Sequence, residues 1–191
     1  MTLAVPSLTA GEPLILLAAQ ALLSASGVLE DYLDEQVAGL AAQGVTVTLP
    51  VPSTVQIGTW DAWRQSCSPP GLLISIGSPT QWTPDVAGDV YHCETRLMVG
   101  ILLTEADTGT TDAGAVYLAS VAYAQAVAYC IQRHLSATTY GADAGIYEAV
   151  IAQTGAEPAP IRDAEGGQLY RVSETYHLVR WQAIQEPPAT P

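Results

Sequence analysis

The stretch that decides the fold is YHCETRLMVGILL, residues 91–103. Successive side chains of a β-strand point to opposite sides, so this segment has two distinct faces. One face is apolar along most of its length and consists of Tyr91, Cys93, Thr95, Leu97, Val99, Ile101 and Leu103. The other face begins polar and becomes apolar at Met98 and Leu102. This pattern predicts one long strand whose second half is covered on both sides.

A polar loop, Thr104 to Asp112, follows this strand and leads into a long helix, Ala113 to Leu135. Such a helix would be about 33 Å long, and Asp112 suits its N-cap. Most of its faces are small or apolar, and its one polar stripe consists of Gln125, Tyr129, Gln132 and Arg133. A helix that is apolar nearly all round needs partners on two sides. We expect the sheet on one side and a neighbouring subunit on the other.

Two shorter helices are predicted before the long strand. The first begins at Pro13 and extends to about Ser24; the second spans Val28 to Ala42 and ends before Gly44. The polar face of the second helix is acidic and consists of Glu30, Asp31, Asp34 and Glu35. A solvated face is the simpler interpretation, and a binding patch is the alternative. Val45 to Leu49 is β-branched and predicts a short strand.

Residues 50–90 are rich in proline, and only Gly71 to Ile76 has a clear strand pattern there. The sequence therefore predicts an extended loop or arm over 50–90. Trp60, Trp63 and Trp82 lie within it. Large aromatic side chains on loops often anchor contacts with another subunit. The alternative is that they cover the edge of their own core.

The last third of the chain predicts two more strands, Ile146 to Gln153 and Gln168 to about Ile184, separated by a loop over Thr154 to Gly167. The apolar phase of the final strand changes near Leu178, which predicts a bulge or a twist there. Residues 186–191 form a proline-rich tail that we expect to be flexible.

The predicted elements fit one domain over residues 1–191. The predicted class is α/β (α+β). It has a small mixed, largely antiparallel sheet packed by the N-terminal helices and one long central helix, with extended proline-rich loops.

The chain is strongly acidic, with six Arg and no Lys against nineteen Asp and Glu, so its formal charge is 6 − 19 = −13. This balance argues against a nucleic-acid-binding surface, because such surfaces neutralise phosphates. Acidity can serve solubility alone, or it can keep a passage through which DNA moves free of adhesion. The absence of Lys excludes Schiff-base catalysis and a P-loop.

No motif of catalysis or metal binding is present, so we predict no cofactor, no metal and no enzyme activity. His92 and Cys93 are adjacent in a strand and therefore point to opposite faces, where they cannot share a metal ion. The loop from Glu105 to Asp112 lacks the EF-hand pattern of ligands. Scattered Ser, His and Asp side chains could still converge in space, which leaves a small enzyme or ligand-binding domain as the alternative.

The compartment is indicated by the cysteines and the N-terminus. Cys93 and Cys130 fall in apolar patterns, where buried reduced thiols are usual, and Cys67 makes the count odd. The N-terminal apolar run lacks a basic region and is interrupted by polar residues, so we predict neither a signal peptide nor a membrane span. The expectation is a protein made and used in a cytoplasm.

The order of these elements resembles the tail terminator or tail-completion proteins of long-tailed bacteriophages. Four segments carry the resemblance. They are the stretch Leu97 to Leu103, the polar loop Thr104 to Asp112, the helix with Tyr117, Tyr123 and Tyr129, and the closing strand Gln168 to Ile184. It covers about two-thirds of the chain and rests on element order, because the family has no diagnostic motif.

The resemblance implies a structural virion protein, assembled in the host cytoplasm as a ring of six copies that closes the upper end of the tail tube and joins it to the head–neck complex. Its partners would be the tail tube protein and a head–neck connector protein, with DNA passing through unbound and no membrane involved. A ring needs two different patches per subunit. The candidates are the Trp60, Trp63 and Trp82 arm and the Gln125, Tyr129 and Gln132 stripe. Another neck or head-completion connector protein is the alternative within the same class.

Overall fold

The computed structural model describes residues 11–59, 62, 68–85, 90–136, 140–141, 145–154, 159–162 and 169–184. Within these ranges the helices of more than one turn are α1 (Glu12–Ser24), α2 (Val28–Ala42) and α3 (Ala113–His134). The strands are β1 (Thr54–Ile57), β2 (Gly71–Pro84), β3 (Val90–Thr104), β4 (Ile146–Gln153), β5 (Ala159–Arg162) and β6 (Leu169–Ile184). A single 3-10 turn, Ala106–Thr108, lies between β3 and α3.

The strands form one mixed sheet in the order β1-β2-β3-β6-β4, with β5 also paired to β6. Among the described strand pairs, β1 and β2 are parallel and the others are antiparallel. β3 and β6 pair without a break over fifteen positions, from Val90 opposite Ile184 to Thr104 opposite Tyr170. The predicted α/β class with a mixed, largely antiparallel sheet is thereby confirmed.

All three helices belong to one side of the sheet, which we call the inner face. α1 packs on β1 and β2, α3 packs on β6 and β4, and α2 packs mainly on α3. The main core lies between these layers and includes Leu72, Leu97, Val127 and Trp181. A smaller cluster with Leu73, Met98 and Leu102 lies on the opposite, outer face, as the two-sided pattern of β3 predicts.

The helix ends follow the capping chemistry of the sequence. Pro13 lies in the first turn of α1. Asp112 caps α3, its Oδ1 accepting a hydrogen bond from the Ala115 N–H at 2.8 Å. Gly44 adopts the left-handed conformation after α2, with φ of 80°. The N–H groups of Gly44 and Val45 donate to the carbonyls of Ala41 and Leu40, the pattern of a Schellman motif.

The prediction of an arm over 50–90 is wrong in two stretches, Thr54–Ile57, which forms β1, and 77–84, which belongs to β2. β2 continues eight residues beyond Ile76, to Pro84, and pairs with β3 along that length. The register shifts between Ile76 and Ser78 and again between Ser78 and Gln81. These bulges accommodate Pro79, which has no N–H for the ladder. The proline pattern therefore hides a strand that is bent but remains in the sheet.

Two further predictions of local structure are wrong. Val45 to Leu49 is not a strand; its Thr48 N–H and hydroxyl donate instead to the carbonyls of Thr108 and Asp107. The predicted loop from Thr154 to Gly167 contains β5, which continues the edge of the sheet along β6 beyond β4. β-branched content predicts extended backbone, but pairing depends on which chain lies alongside it.

The predicted bulge near Leu178 is also absent from β6, which pairs with β3 in constant register through that point. The extra residues are in β4, where the register against β6 shifts between Ile146 and Glu148 and between Ile151 and Gln153. Since β6 keeps its alternation, its inner face is buried from Ser173 to Trp181 and includes polar side chains. These inward residues are Ser173, Thr175, His177, Val179 and Trp181.

By length and composition, α3 could cross a membrane, with a mean hydropathy of 1.4 in its most apolar window. In this fold 61% of that window is buried, against β4, β6 and α2. α1 and α2 pass the same test only together, as a pair bent by 58°.

The turn between α3 and β4 requires glycine at position 141. A Cβ there would lie 2.8 Å from the Leu135 carbonyl oxygen and 2.9 Å from the Ile146 Cβ. We expect Gly141→Ala to lower the free energy of unfolding by about 1–3 kcal/mol, measured by chemical denaturation. Gly39→Ala is the matched control, because nothing lies within 4 Å of its added methyl group. In the interior of α2 it should stabilise by up to about 1 kcal/mol. A neutral Gly141→Ala variant would contradict the close approach of Leu135 and Ile146 to this turn.

Candidate functional site

The first candidate surface is an aromatic group at one end of the sheet, which we call the Trp82 corner and define as Trp82, Tyr91 and Trp181. Trp82 and Trp181 lie opposite Cys93 on neighbouring strands and therefore share the inner face with it. The Trp82 ring contacts Trp181 edge to face at 5.3 Å between centroids and Tyr91 at 6.0 Å. Trp181 is fully buried, while Trp82 is 46% exposed. The corner therefore presents a half-exposed indole held by two aromatic neighbours.

A chain of hydrogen bonds holds Trp181, the buried member of this corner, in place. The Trp181 indole N–H donates to the Thr95 hydroxyl at 2.9 Å, and that hydroxyl bonds to the Thr80 hydroxyl at 2.7 Å. Thr80 in turn donates to the Glu12 carboxylate at the start of α1. Thr95 is fully buried, so its hydroxyl needs these partners. The chain connects α1, β2, β3 and β6 and immobilises the indole beneath Trp82.

The second candidate surface lies on α3. We call it the α3 face and define it as Leu118, Val121, Gln125, Tyr129 and Gln132. Their spacing of three, four, four and three residues places them on one side of the helix. Tyr129 is 49% exposed and Leu118 40% exposed. Gln132 is exposed, and Val121 and Gln125 are half-buried. The predicted stripe of Gln125, Tyr129 and Gln132 is therefore a continuous solvent-facing strip.

The sequence-predicted interface residues thus divide into three groups. Trp82 lies on β2, and Gln125, Tyr129 and Gln132 lie together on α3. Trp60 and Trp63 fall outside the described residues.

The predicted acidic face of α2 is exposed at all four positions, Glu30, Asp31, Asp34 and Glu35, as a solvated face should be.

A polar cleft of about 180 Å³ opens on the outer face of the sheet, at the end that carries the Trp82 corner. It is lined by Gln81, Thr83, His92, Cys93, Glu94, Tyr147 and Arg180. The Arg180 guanidinium bonds to Glu94 at 3.0 Å and also to Glu148. Hydrogen bonds to Glu148 and Glu94 raise the pKa of Arg180. Since both carboxylates hold this cation, the arrangement is that of a surface ion-pair network.

A deep pocket that held Ser78, Glu94 or His177 would favour the alternative of a small enzyme. Glu94 lines the outer cleft, but Ser78 and His177 do not. His177 is fully buried on the inner face of β6, where its Nε2 lies 3.2 Å from the Thr175 hydroxyl. Burial lowers the pKa of His177 to about 4. Among the described residues, no group of three or more His, Cys, Asp or Glu could hold a metal ion.

The predicted buried thiols are confirmed at Cys93 and Cys130, which are both free and buried. Burial raises the pKa of Cys93 to about 11 and that of Cys130 to about 12, so both are protonated and unreactive near neutrality. Cys67 lies outside the described residues. His92 is exposed and Cys93 is buried in the main core; the two are consecutive in β3, so their side chains lie on opposite faces of the sheet, although both residues line the cleft.

Sequence reasoning missed Trp181, Leu118 and Tyr147 as site residues. Leu118 carried a usable signal, because it precedes Gln125 and Tyr129 by seven and eleven residues on the same helical face. Trp181 and Tyr147, which is 45% exposed, carried none, because their surroundings depend on pairing between distant strands.

No protein family model matches this sequence, and no curated protein matches it.

Proposed function

We propose that this chain is a tail terminator, a structural virion protein that closes the upper end of a phage tail tube as a six-copy ring and joins it to the head–neck complex. The observation that carries the proposal is the presence of two exposed, largely uncharged surfaces on different elements of one scaffold. A closed ring uses a heterologous interface, so each subunit must present two unlike patches. The Trp82 corner on β2 and the α3 face satisfy that requirement.

Charge supports the same proposal. Six copies would carry 6 × −13 = −78 formal charges, which keeps DNA from adhering to a ring through which it must pass. The described cleft on the outer face contains an arginine that is paired to Glu94 and Glu148. Cys93, the thiol that lines this cleft, is buried and its pKa is raised to about 11, so it is protonated near neutrality. Another neck connector protein that also assembles as a ring is the alternative within this class.

The deciding experiment measures the native mass by size exclusion with light scattering at high and low protein concentration, followed by electron microscopy. With a chain mass of 20.0 kDa, six copies would give 6 × 20.0 = 120 kDa. The proposal expects rings of this mass that bind one end of purified tail tubes. A protein that remains monomeric and leaves tube ends open contradicts it.

We expect Trp82→Ala to weaken self-association far more than it weakens the fold. Because the indole is half-exposed, its loss should lower the free energy of unfolding by about 1 kcal/mol, mainly through lost aromatic contacts. As a central interface residue it should raise the dissociation constant at least about tenfold. Both quantities are measured on the same samples, by thermal denaturation and light scattering.

Tyr147→Ala is the matched control, because Tyr147 is equally exposed but lies on the outer cleft. It should leave self-association unchanged. A large loss of melting temperature in Trp82→Ala with unchanged association would instead assign Trp82 to the core alone.

A further inference from the structure

The exposed side of α3 is unusual in a chain this acidic. Among 191 residues, 19 are Asp or Glu, yet the 22 residues of α3 contain none. The neighbouring helix α2, which packs on α3, exposes four carboxylates. The α3 face is thus a carboxylate-free strip about 21 Å long on the helix beside the acidic α2.

A cation marks one end of this strip. Arg133 is exposed and lies one turn beyond Tyr129, where i and i+4 side chains are neighbours. Among the described residues it forms no salt bridge, unlike Arg180. An exposed apolar strip that ends in such an arginine is complementary to a partner that combines apolar contact groups with overall negative charge.

We propose that the α3 face binds the Trp82 corner of a second copy of this chain, head to tail. A second copy is strongly negative, so its field favours approach to Arg133 and disfavours approach to the acidic face of α2. Within the copy, the Trp82 corner consists of uncharged aromatic groups. Its indole is already immobilised by Trp181 and Tyr91, so little side-chain entropy is lost on docking.

Pairing of the α3 face with the Trp82 corner also agrees with the residue types found at the centres of protein–protein interfaces. Trp and Tyr are the residues most enriched where binding energy is concentrated, and such residues tend to face each other across an interface. Trp82 and Tyr129 are exposed to 46% and 49%. The inference deepens the proposed ring and rests on it, since a head-to-tail contact repeated by rotation closes a ring.

The test places carboxylates on the α3 face without changing side-chain shape. Gln125→Glu/Gln132→Glu adds two negative charges to the strip. Gln43→Glu/Gln153→Glu adds the same two charges at exposed positions elsewhere. Light scattering over a concentration series should show half-dissociation of the first variant at a concentration at least about tenfold above that of the wild type. The control variant should match the wild type.

A cross-linking experiment identifies the counterpart. Pro84→Cys, which follows Trp82 by two residues and therefore lies on the same face of β2, and Gln132→Cys, on the α3 face, are made in a Cys67→Ser background. The native Cys93 and Cys130 are buried. A short bismaleimide should join chains only when both variants are mixed. Cross-links in the Gln132→Cys sample alone would mean that two α3 faces meet, which overturns the head-to-tail pairing. The absence of cross-links in the mixture would also overturn it.

The outcomes separate this inference from the proposed function. If Gln125→Glu/Gln132→Glu assembles like the wild type and both cap tail tubes, the α3 assignment fails and the function stands. If the wild type assembles through the α3 face but leaves tube ends open, the inference stands and the function fails. A wild type that remains monomeric at every concentration overturns the inference.

Discussion

Trp181→Ala is expected to lower the free energy of unfolding by about 3–5 kcal/mol, as for other fully buried tryptophans. The indole is 0% exposed and packs in the main core. Its removal leaves a cavity beneath Trp82 and deprives the buried Thr95 hydroxyl of its donor at 2.9 Å. Since a domain of this kind is stable by only about 5–15 kcal/mol, a large part of the total is lost. Urea denaturation followed by far-UV circular dichroism measures it.

Two further variants separate packing from hydrogen bonding at this position. Trp181→Phe keeps an aromatic ring but removes the N–H, and Thr95→Val removes the acceptor. The coupling between them in a double-mutant cycle should be about 1 kcal/mol. A coupling near zero would mean that the hydrogen bond contributes nothing and that Trp181 acts through its volume alone. Trp181→Ala with a loss below about 1 kcal/mol would contradict its position in the core.

The sequence predicts the centre of this fold well, for a physical reason. β3 and α3 are long, and their apolar residues repeat with the period of a strand or a helix over many residues. Local signals at the ends agree with that pattern, as Asp112 and Gly44 show. The bounds of α2 and β4 match their predicted spans. Where periodicity and end chemistry agree, no knowledge of distant partners is needed.

The prediction fails where partners override local preference. The second half of β2 contains Pro79, and its strand character comes from pairing with β3 across two bulges. Val45 to Leu49 has strand-forming residues, but its backbone bonds to a turn before α3. β6 buries its polar alternate residues, because α3 packs on the inner side of this strand. A period-2 pattern shows which residues share a face and leaves open which face is buried.

The two candidate surfaces also differ in how far the sequence alone predicts them. The stripe from Gln125 to Gln132 follows from helical spacing, so a sequence alone places it on one exposed side. The Trp82 corner does not, because its shape depends on Trp82, Cys93 and Trp181 lying opposite one another on three strands. Those positions are separated by 11 and 88 residues in the chain, and no local pattern records their proximity.

The buried histidine of β6 leads to the second large prediction, a stability that falls in mild acid. Burial lowers the pKa of His177 to about 4 in the folded chain, against about 6.5 in the unfolded chain. The unfolded state therefore binds a proton first as the pH falls. The stabilisation is present above pH 6.5 and is lost between about 6.5 and 4. The difference of about 2.5 pKa units corresponds to on the order of 3 kcal/mol.

The experiment compares the pH dependence of the free energy of unfolding in three proteins between pH 7 and 4. His177→Gln, which cannot titrate, should lose this part of the slope and keep the part that the carboxylates contribute. Thr175→Val removes the hydroxyl 3.2 Å from Nε2 and should lower stability at every pH while keeping the slope, because burial and not that bond lowers the pKa. Equal slopes for His177→Gln and the wild type would mean that water or a buried anion already accommodates the imidazolium. In that case protons would reach the inner face of β6, and the burial of His177 would have to be incomplete.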